Sequence, residues 1–395
     1  MAGFPNPLHT ENTMSIDTIV ALSRRYGADP DYVIAGGGNT SYKDADTLFI
    51  KASGTSLAEM DAAAFVRLDR RALAAIWQKQ YPADPDAREA AILADMLAAR
   101  LPGQENKRPS VEALLHDILP LTYVVHTHPA LVNGLACSVQ GQAAMEALFP
   151  EGVAWIPSIN PGYILAQAVK DTLVEFRTRR GAAPEIILLQ NHGVFVGGDS
   201  SDRVQANYSR LMATIGARIG RHPDLSGAQA KYGASEAVAA ELARLAAAGS
   251  APGTSPRALF RRNGEIGRLT ANRSAFAPVA SPLTPDHIVY AGSDFLFVED
   301  EKTLSADWER FVRAFRRQPK LVALRGLGVF GVGTTEKSAA TALDLFVDAA
   351  RVVCYAEAFG GPRYMTADKV DFINNWEVER YRAKIHTDQG QGGSK

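Results

Sequence analysis

Short apolar runs alternate with longer stretches in which apolar residues recur every three or four positions. This alternation predicts a layered α/β or α+β chain. The strand-like runs are 32–34, 48–50, 123–125, 153–156 and 186–189, and the helical spacing falls at about 69–80, 86–100, 109–119, 160–180 and 200–220. After residue 220 the character changes. An Ala-rich helical stretch (SEAVAAELARLAAAG) runs into SAPGTSP, which reads as a linker, so 221–256 is taken as helix plus linker. A second unit follows over 257–360. The stretch 361–395 reads as a helical tail that ends Gly-rich.

The second unit repeats a piece of the first. Written one over the other, PEIILLQNHGVFVGG (184–198) and PKLVALRGLGVFGVG (319–333) share Pro184, Leu189, Gly193, Val194, Phe195 and Gly198 with their partners. A long helical pattern follows both. The expectation is a degenerate duplication in which Gln190-Asn191-His192 has become Arg325-Gly326-Leu327; a bare strand-turn-helix would also look alike over so short a window.

Composition narrows the function classes. The 395 residues suffice for two ordinary domains, and 46% hydrophobic with 22% charged residues is a normal globular balance. A net charge of -1 gives no field for nucleic acid or an anionic membrane, so an anionic substrate must be held by local groups. Two cysteines, Cys137 and Cys354, exclude a disulfide framework and fit a reducing compartment. The N-terminal residues do not read as a signal peptide, and no apolar run has the roughly 18 residues of a membrane span. The expectation is a cytoplasmic protein.

Candidate chemistry sits at strand ends. His126 and His128 are two apart at the end of an apolar run, so both imidazoles can face one point. His192 ends another such run and is followed by Gly193, which permits a tight turn. Three imidazoles with an open position suit a catalytic zinc rather than a closed structural site. In RPSVEALLH, Ser110 is a plausible N-cap and Glu112 lies in the first turn; helix capping and metal chemistry are both open to this carboxylate. His116, one turn on, reads as a packed supporting residue. His9, His222, His287 and His386 are assigned no role. The segments AGGGNTSYK (35–43) and IKASGTS (50–56) place Asn39, Thr40, Ser53 and Gly54 in small-polar loops. With Ser110 at a helix start, these loops can hold a phosphate without net positive charge. Neither is a GxGxxG or Walker motif, so nucleotide binding is not supported.

The GGGNTS loop, the IKASG strand end, the RPSVE helix start, the HTHP pair and the QNHGV strand end, in this order over residues 15–220, closely resemble the class II aldolase/adducin family. The RPSVEALLH, LTPDHIVYAGSD and VDFINNWEVERYR segments further resemble the branch of rhamnulose-1-phosphate aldolase parts fused to a short-chain dehydrogenase. The sequence ends at Lys395, so the dehydrogenase is expected as a separate partner. The resemblance implies a three-layer αβα fold, one zinc per chain on His126, His128 and His192, and Glu112 as acid/base and resting-state ligand. It also implies phosphate contacts from Asn39, Thr40, Ser53, Gly54 and Ser110, and a site completed by a neighbouring subunit, for which Trp155 and Tyr163 are weak candidates. The implied reaction is retro-aldol cleavage of a ketose 1-phosphate to dihydroxyacetone phosphate and a small aldehyde. Epimerases, decarboxylases and dehydratases use the same scaffold, and a metal-free adducin-like interaction module is the rival from another class. With a metal-free second unit, a homodimer would mimic the family's tetramer.

Overall fold

A computed structural model describes residues 7–227, 233–251 and 253–376, and the chain divides into two compact units. The first comprises 1–132 and 142–217; the second comprises 133–141 and 218–395. The segment 133–141 therefore groups with the second unit rather than with the 1–220 domain that the sequence predicts. The part of the C-terminal tail beyond 376, with His386, lies outside the described residues, as do residues 1–6 and the side chain of His9. Among the described residues no helix is long and apolar enough to cross a membrane.

The first unit is built on seven strands: β1 (Asn39–Lys43), β2 (Thr47–Lys51), β3 (Phe65–Asp69), β4 (Tyr123–Thr127), β5 (Val153–Ile156), β6 (Ile186–Leu189) and β7 (Gly193–Gly198). They form one sheet in the order β3-β2-β1-β4-β7-β6-β5, antiparallel except for the β5–β6 pair. Strand alternation sorts its side chains onto two faces. On one face Leu48, Ile50, Val124, Ile187 and Phe195 join a core with Leu73, Ile92, Leu114 and Val169 of four helices. On the other face Thr127 meets the buried hydroxyl of Tyr208, whose ring packs against Tyr26 and Tyr32. The result is a three-layer α/β fold.

Several elements depart from the sequence expectation. The run 32–34 is a turn, not a strand: after Pro30, the Tyr32 and Val33 amides both donate to the Asp29 carbonyl. Conversely Asn39, Thr40 and Ser41, read as loop, form the fully buried β1 at the middle of the sheet, where polar side chains are tolerated because each finds a partner. The helix Pro7–Gly27 is not among the expected elements, although Ile19, Leu22, Ser23 and Tyr26 mark a buried stripe with helical spacing. Helices Ala130–Ala136 and Gly141–Leu148 are likewise additions to the sequence expectation.

Lys43, at the end of β1, is a buried cation. Its ammonium donates to the His116 carbonyl at 2.7 Å, and burial, opposed by the nearby Asp117 carboxylate, lowers its pKa to about 7. The unfolded chain therefore binds this proton more tightly than the folded one, and stability rises as pH climbs from about 7 toward 10.5. The melting temperature of the wild type relative to Lys43→Met is expected to increase between pH 7 and pH 10. A pH-independent difference would show that Lys43 stays charged.

The second unit carries β8 (Arg257–Arg261), β9 (Leu296–Val298), β10 (Leu321–Leu324) and β11 (Gly328–Gly333) in the order β8-β11-β10-β9. The pairing of β10 with β11 repeats that of β6 with β7 at a constant offset of 135 residues: Ile187↔Phe195 against Val322↔Phe330, and Leu189↔Gly193 against Leu324↔Gly328. Both turns pass through a left-handed residue, Asn191 (φ 57°) and Gly326 (φ 72°). Both hairpins lead into a capped helix, Ser201–Gly216 behind Ser200 and Glu336–Ala356 behind Thr335. The flanking strands correspond too, β4 to β8 on the antiparallel side and β5 to β9 on the parallel side. The expected Ala-rich helix is present as Gly233–Ala248, and its Val238, Leu242 and Ala246 pack into this unit's core with Val322, Leu324 and Phe330. The sequence does not reveal this because an Ala-rich helix has a weak apolar contrast.

Candidate metal centre

Three neighbouring strands line up the site. In register, Asn39 of β1 lies opposite His126 of β4, which lies opposite Phe195 of β7, so all three side chains share one face. The His126 ring stacks on Phe195 with centroids 4.1 Å apart. Its Nδ1 is 3.0 Å from the Val194 carbonyl, which can only accept, so Nδ1 carries the proton and Nε2 presents a lone pair. His128, just past the end of β4, brings its Nε2 to 2.9 Å from that of His126. His192 enters from the β6–β7 turn, held there by the left-handed Asn191 and by its own amide donating to Leu189. One ring nitrogen from each of the three histidines lies within 4.8 Å of the others.

Glu112 closes the group. It is buried, with Oε2 3.5 Å from His126 Nε2 and Oε1 3.7 Å from His192 Nε2. Oε2 accepts a 2.5 Å hydrogen bond from the Asn39 amide; Oε1 receives none among the described residues. A buried carboxylate oxygen without a donor is costly unless a cation compensates it. Together with the three convergent imidazole nitrogens, this donor set fits a divalent cation of borderline softness. The helix begins later than predicted: it spans Ala113–Ile118, Glu112 occupies the N-cap, and Ser110 accepts from the Glu112 amide at 3.3 Å instead of capping the first turn.

Behind Glu112 runs a buried relay. His116 is fully buried, and desolvation, then the neighbouring His126 and Lys43, keep it neutral. Because Asn39 spends its NH2 on Glu112, its Oδ1 must accept from His116 Nε2, and His116 Nδ1 then accepts from the Ser41 hydroxyl at 2.7 Å. Ser41 to His116 to Asn39 to Glu112 is thus a chain with one consistent set of proton positions. The spacing of Glu112 and His116 hints at this support; the part played by Ser41 has no sequence signal.

The five expected phosphate contacts do not stay together. Ser53 and Ser110 belong to adjoining loops tied by the Ser53 amide on the Arg108 carbonyl and the Ser110 amide on the Lys51 carbonyl, and Gly54 follows with φ 86°. Asn39 joins them through Glu112. Thr40 does not: strand alternation turns it to the opposite face, where its hydroxyl meets Ser23 at 2.7 Å with no exposure. Thr40 is therefore removed from the candidate set. Trp155 lies on the edge strand β5, and Tyr163 stacks on Trp77.

In the second unit the positions matching His126, His128 and His192 are Phe260, Arg262 and Leu327. The Arg262 guanidinium donates to the Gly326 and Leu327 carbonyls of the corresponding turn.

Residues 17–214 match the family model described as Class II Aldolase and Adducin N-terminal domain. An uncharacterized oxidoreductase of Bacillus subtilis (strain 168), YuxG, is 26% identical over 196 residues, which is 47% of this chain; the chain spans 27% of that protein's length. The N-terminal class II aldolase domain of a conserved protein from Thermoplasma acidophilum is 26% identical, covering 55% of this chain and 95% of that one, with a TM-score of 0.44. An L-fuculose-1-phosphate aldolase from Thermus thermophilus is 16% identical, covering 50% and 92%, with a TM-score of 0.33.

Proposed function

The chain belongs to the class II aldolase and adducin family, and from that premise we propose that it is a zinc-dependent aldolase cleaving a ketose 1-phosphate to dihydroxyacetone phosphate and a small aldehyde. The carrying observation is Glu112, a buried carboxylate with one donor-free oxygen that lies 3.5 Å and 3.7 Å from two of three convergent imidazoles. An adducin-like module without metal would have no reason to keep that arrangement.

In this reading His126, His128 and His192 hold one zinc per chain. Bound there, the ion supplies a Lewis acid for the negative charge that breaking C3–C4 leaves on the dihydroxyacetone phosphate fragment. Glu112 moves the proton at C3, and Asn39 and His116 fix the direction of its carboxylate. The Ser53-Gly54 and Ser110 loops bind the phosphate and so orient the reacting bond. The test is product analysis over a panel of ketose 1-phosphates, among them rhamnulose 1-phosphate. Dihydroxyacetone phosphate formed with one equivalent of aldehyde supports an aldolase; a C4 epimer, carbon dioxide or dehydrated product without aldehyde assigns the site to a sister reaction.

Asn39 distinguishes two roles. Asn39→Ala removes the donor to Glu112 and is expected to lower kcat roughly ten- to a hundredfold, the equivalent of about 1–3 kcal/mol. A change confined to KM would put Asn39 on the phosphate instead.

The 135-residue correspondence supports reading the second unit as a metal-free copy of the first. Two such units per chain would let a homodimer offer the four-unit arrangement of a tetramer; light scattering that finds a monomer or a tetramer of chains would contradict it. The oxidoreductase relative, of whose length the chain spans 27%, supports a dehydrogenase as a partner.

A further inference from the structure

The two register-matched hairpins also differ at their far end, away from the turn that carries His192. In the first unit Glu185 precedes β6, and the Arg203 guanidinium grips it through bonds of 2.6–3.0 Å, with Asn207 adding a third donor. The equivalent position in the second unit is Lys320, and the same backbone bond marks the equivalence: Gly197 donates to the Glu185 carbonyl as Val332 donates to that of Lys320, both at 2.8 Å. Arg203 is matched by Ser338 and Asp199 by Thr334. The ion pair has therefore been replaced by a single cation.

The space is not refilled. A cavity of about 250 Å³ opens there within the second unit, with Lys320, Thr334, Ser338, Gln318, Tyr290 and Val332 among its lining. Among the described residues lining it there is no carboxylate. Lys320 as a whole is exposed, so solutes can reach it, while the protein packed around its ammonium, and then Arg317, lower its pKa to about 8, which leaves it charged at neutral pH. That ammonium spends one of its three donors on the Val289 carbonyl at 2.7 Å and pairs with no carboxylate among the described residues. Arg317, by contrast, is taken up by Asp294. Val289 lies in a π-helical turn, His287–Ala291, a geometry concentrated at functional sites. Lys320 thus lines the cavity, held by the Val289 carbonyl with two N–H groups left over, and Thr334 lies on the same lining.

We propose that this cavity binds a small organic monocarboxylate, its carboxylate on Lys320 and its short apolar body against Val289, Val332 and Pro319. One positive charge, without a guanidinium fork or a second cation among the lining residues, matches a monoanion better than a phosphate dianion. The volume of about 250 Å³ suits a ligand with a short chain. Nothing here depends on the aldolase reading.

The test is saturation-transfer NMR and calorimetry on the full chain with butyrate as the probe, butanol and inorganic phosphate as comparisons. Because zinc also binds carboxylates, the His192→Ala protein is run beside the wild type. The expected result is millimolar-range butyrate binding in both, weakened about tenfold or more by Lys320→Met, with butanol and phosphate failing to compete. Melting curves establish that Lys320→Met is folded, and Lys320→Arg, which keeps the charge, should retain part of the binding. Equal butyrate binding by Lys320→Met, binding lost in His192→Ala, displacement by phosphate or butanol, or no binding by the wild type would each overturn the proposal.

Discussion

Glu112→Gln should lower turnover by about three orders of magnitude while the protein keeps its metal. General acid–base groups contribute roughly 10²–10⁴ in rate, and the substitution removes the proton-carrying function almost without changing shape. The amide oxygen can still accept from Asn39, so the relay from Ser41 through His116 keeps its geometry. The three imidazoles are untouched, so metal content should stay at the wild-type level. Steady-state kinetics at saturating substrate, paired with elemental analysis, checks both halves. A kcat within about threefold of wild type would remove Glu112 from proton transfer; loss of metal together with activity would make it chiefly a ligand.

The second large effect concerns a residue with no functional group. A Cβ at Gly193 would lie 2.5 Å from His128 Cδ2 and 2.6 Å from the Thr127 carbonyl oxygen. Neither neighbour can yield cheaply. Thr127 is fixed in the β4–β7 ladder opposite Val194, and His128 is one of the candidate ligands. Gly193→Ala should therefore cost about 1–3 kcal/mol of stability, as overpacking does, or several degrees in Tm, and should weaken zinc affinity by displacing His128. Gly220→Ala, where the added carbon meets nothing within 4 Å, is the matched control and should melt with the wild type. Unchanged melting and zinc affinity in Gly193→Ala would mean that β4 and β7 adjust freely and that this end of the sheet is not a rigid scaffold.

The convergence of His126, His128 and His192 is legible because its signals are local. Two histidines at strand spacing, and one before a glycine at a strand end, need only strand periodicity to be aimed at a common point. The supporting relay is only half legible. His116 can be placed one turn from Glu112, but its partners Ser41 and Asn39 come from more than 70 residues away and depend on β1 lying beside β4. Reading GGGNTS as a loop hides that strand, because Asn, Thr and Ser gain a place in a buried strand only when tertiary partners satisfy them. The same misreading keeps Thr40 among the phosphate contacts, since only strand alternation turns it away from Asn39. In the second half, the hairpin echo is visible because its glycines and apolar positions are fixed by packing. The helix Gly233–Ala248 does not announce its buried face, as alanine is compatible with either side.

The central claim is a metal held by the histidines of the first unit and by nothing in the second. The most direct measurement is the metal content of the full chain, purified without chelators and with zinc supplied, beside its His192→Ala variant. His192 stands on a turn, so its truncation should leave the fold intact, which melting curves can verify. About one zinc per chain in the wild type, lost in the variant, is the predicted result. A wild type that binds no metal, or a variant that retains a full equivalent, would contradict it.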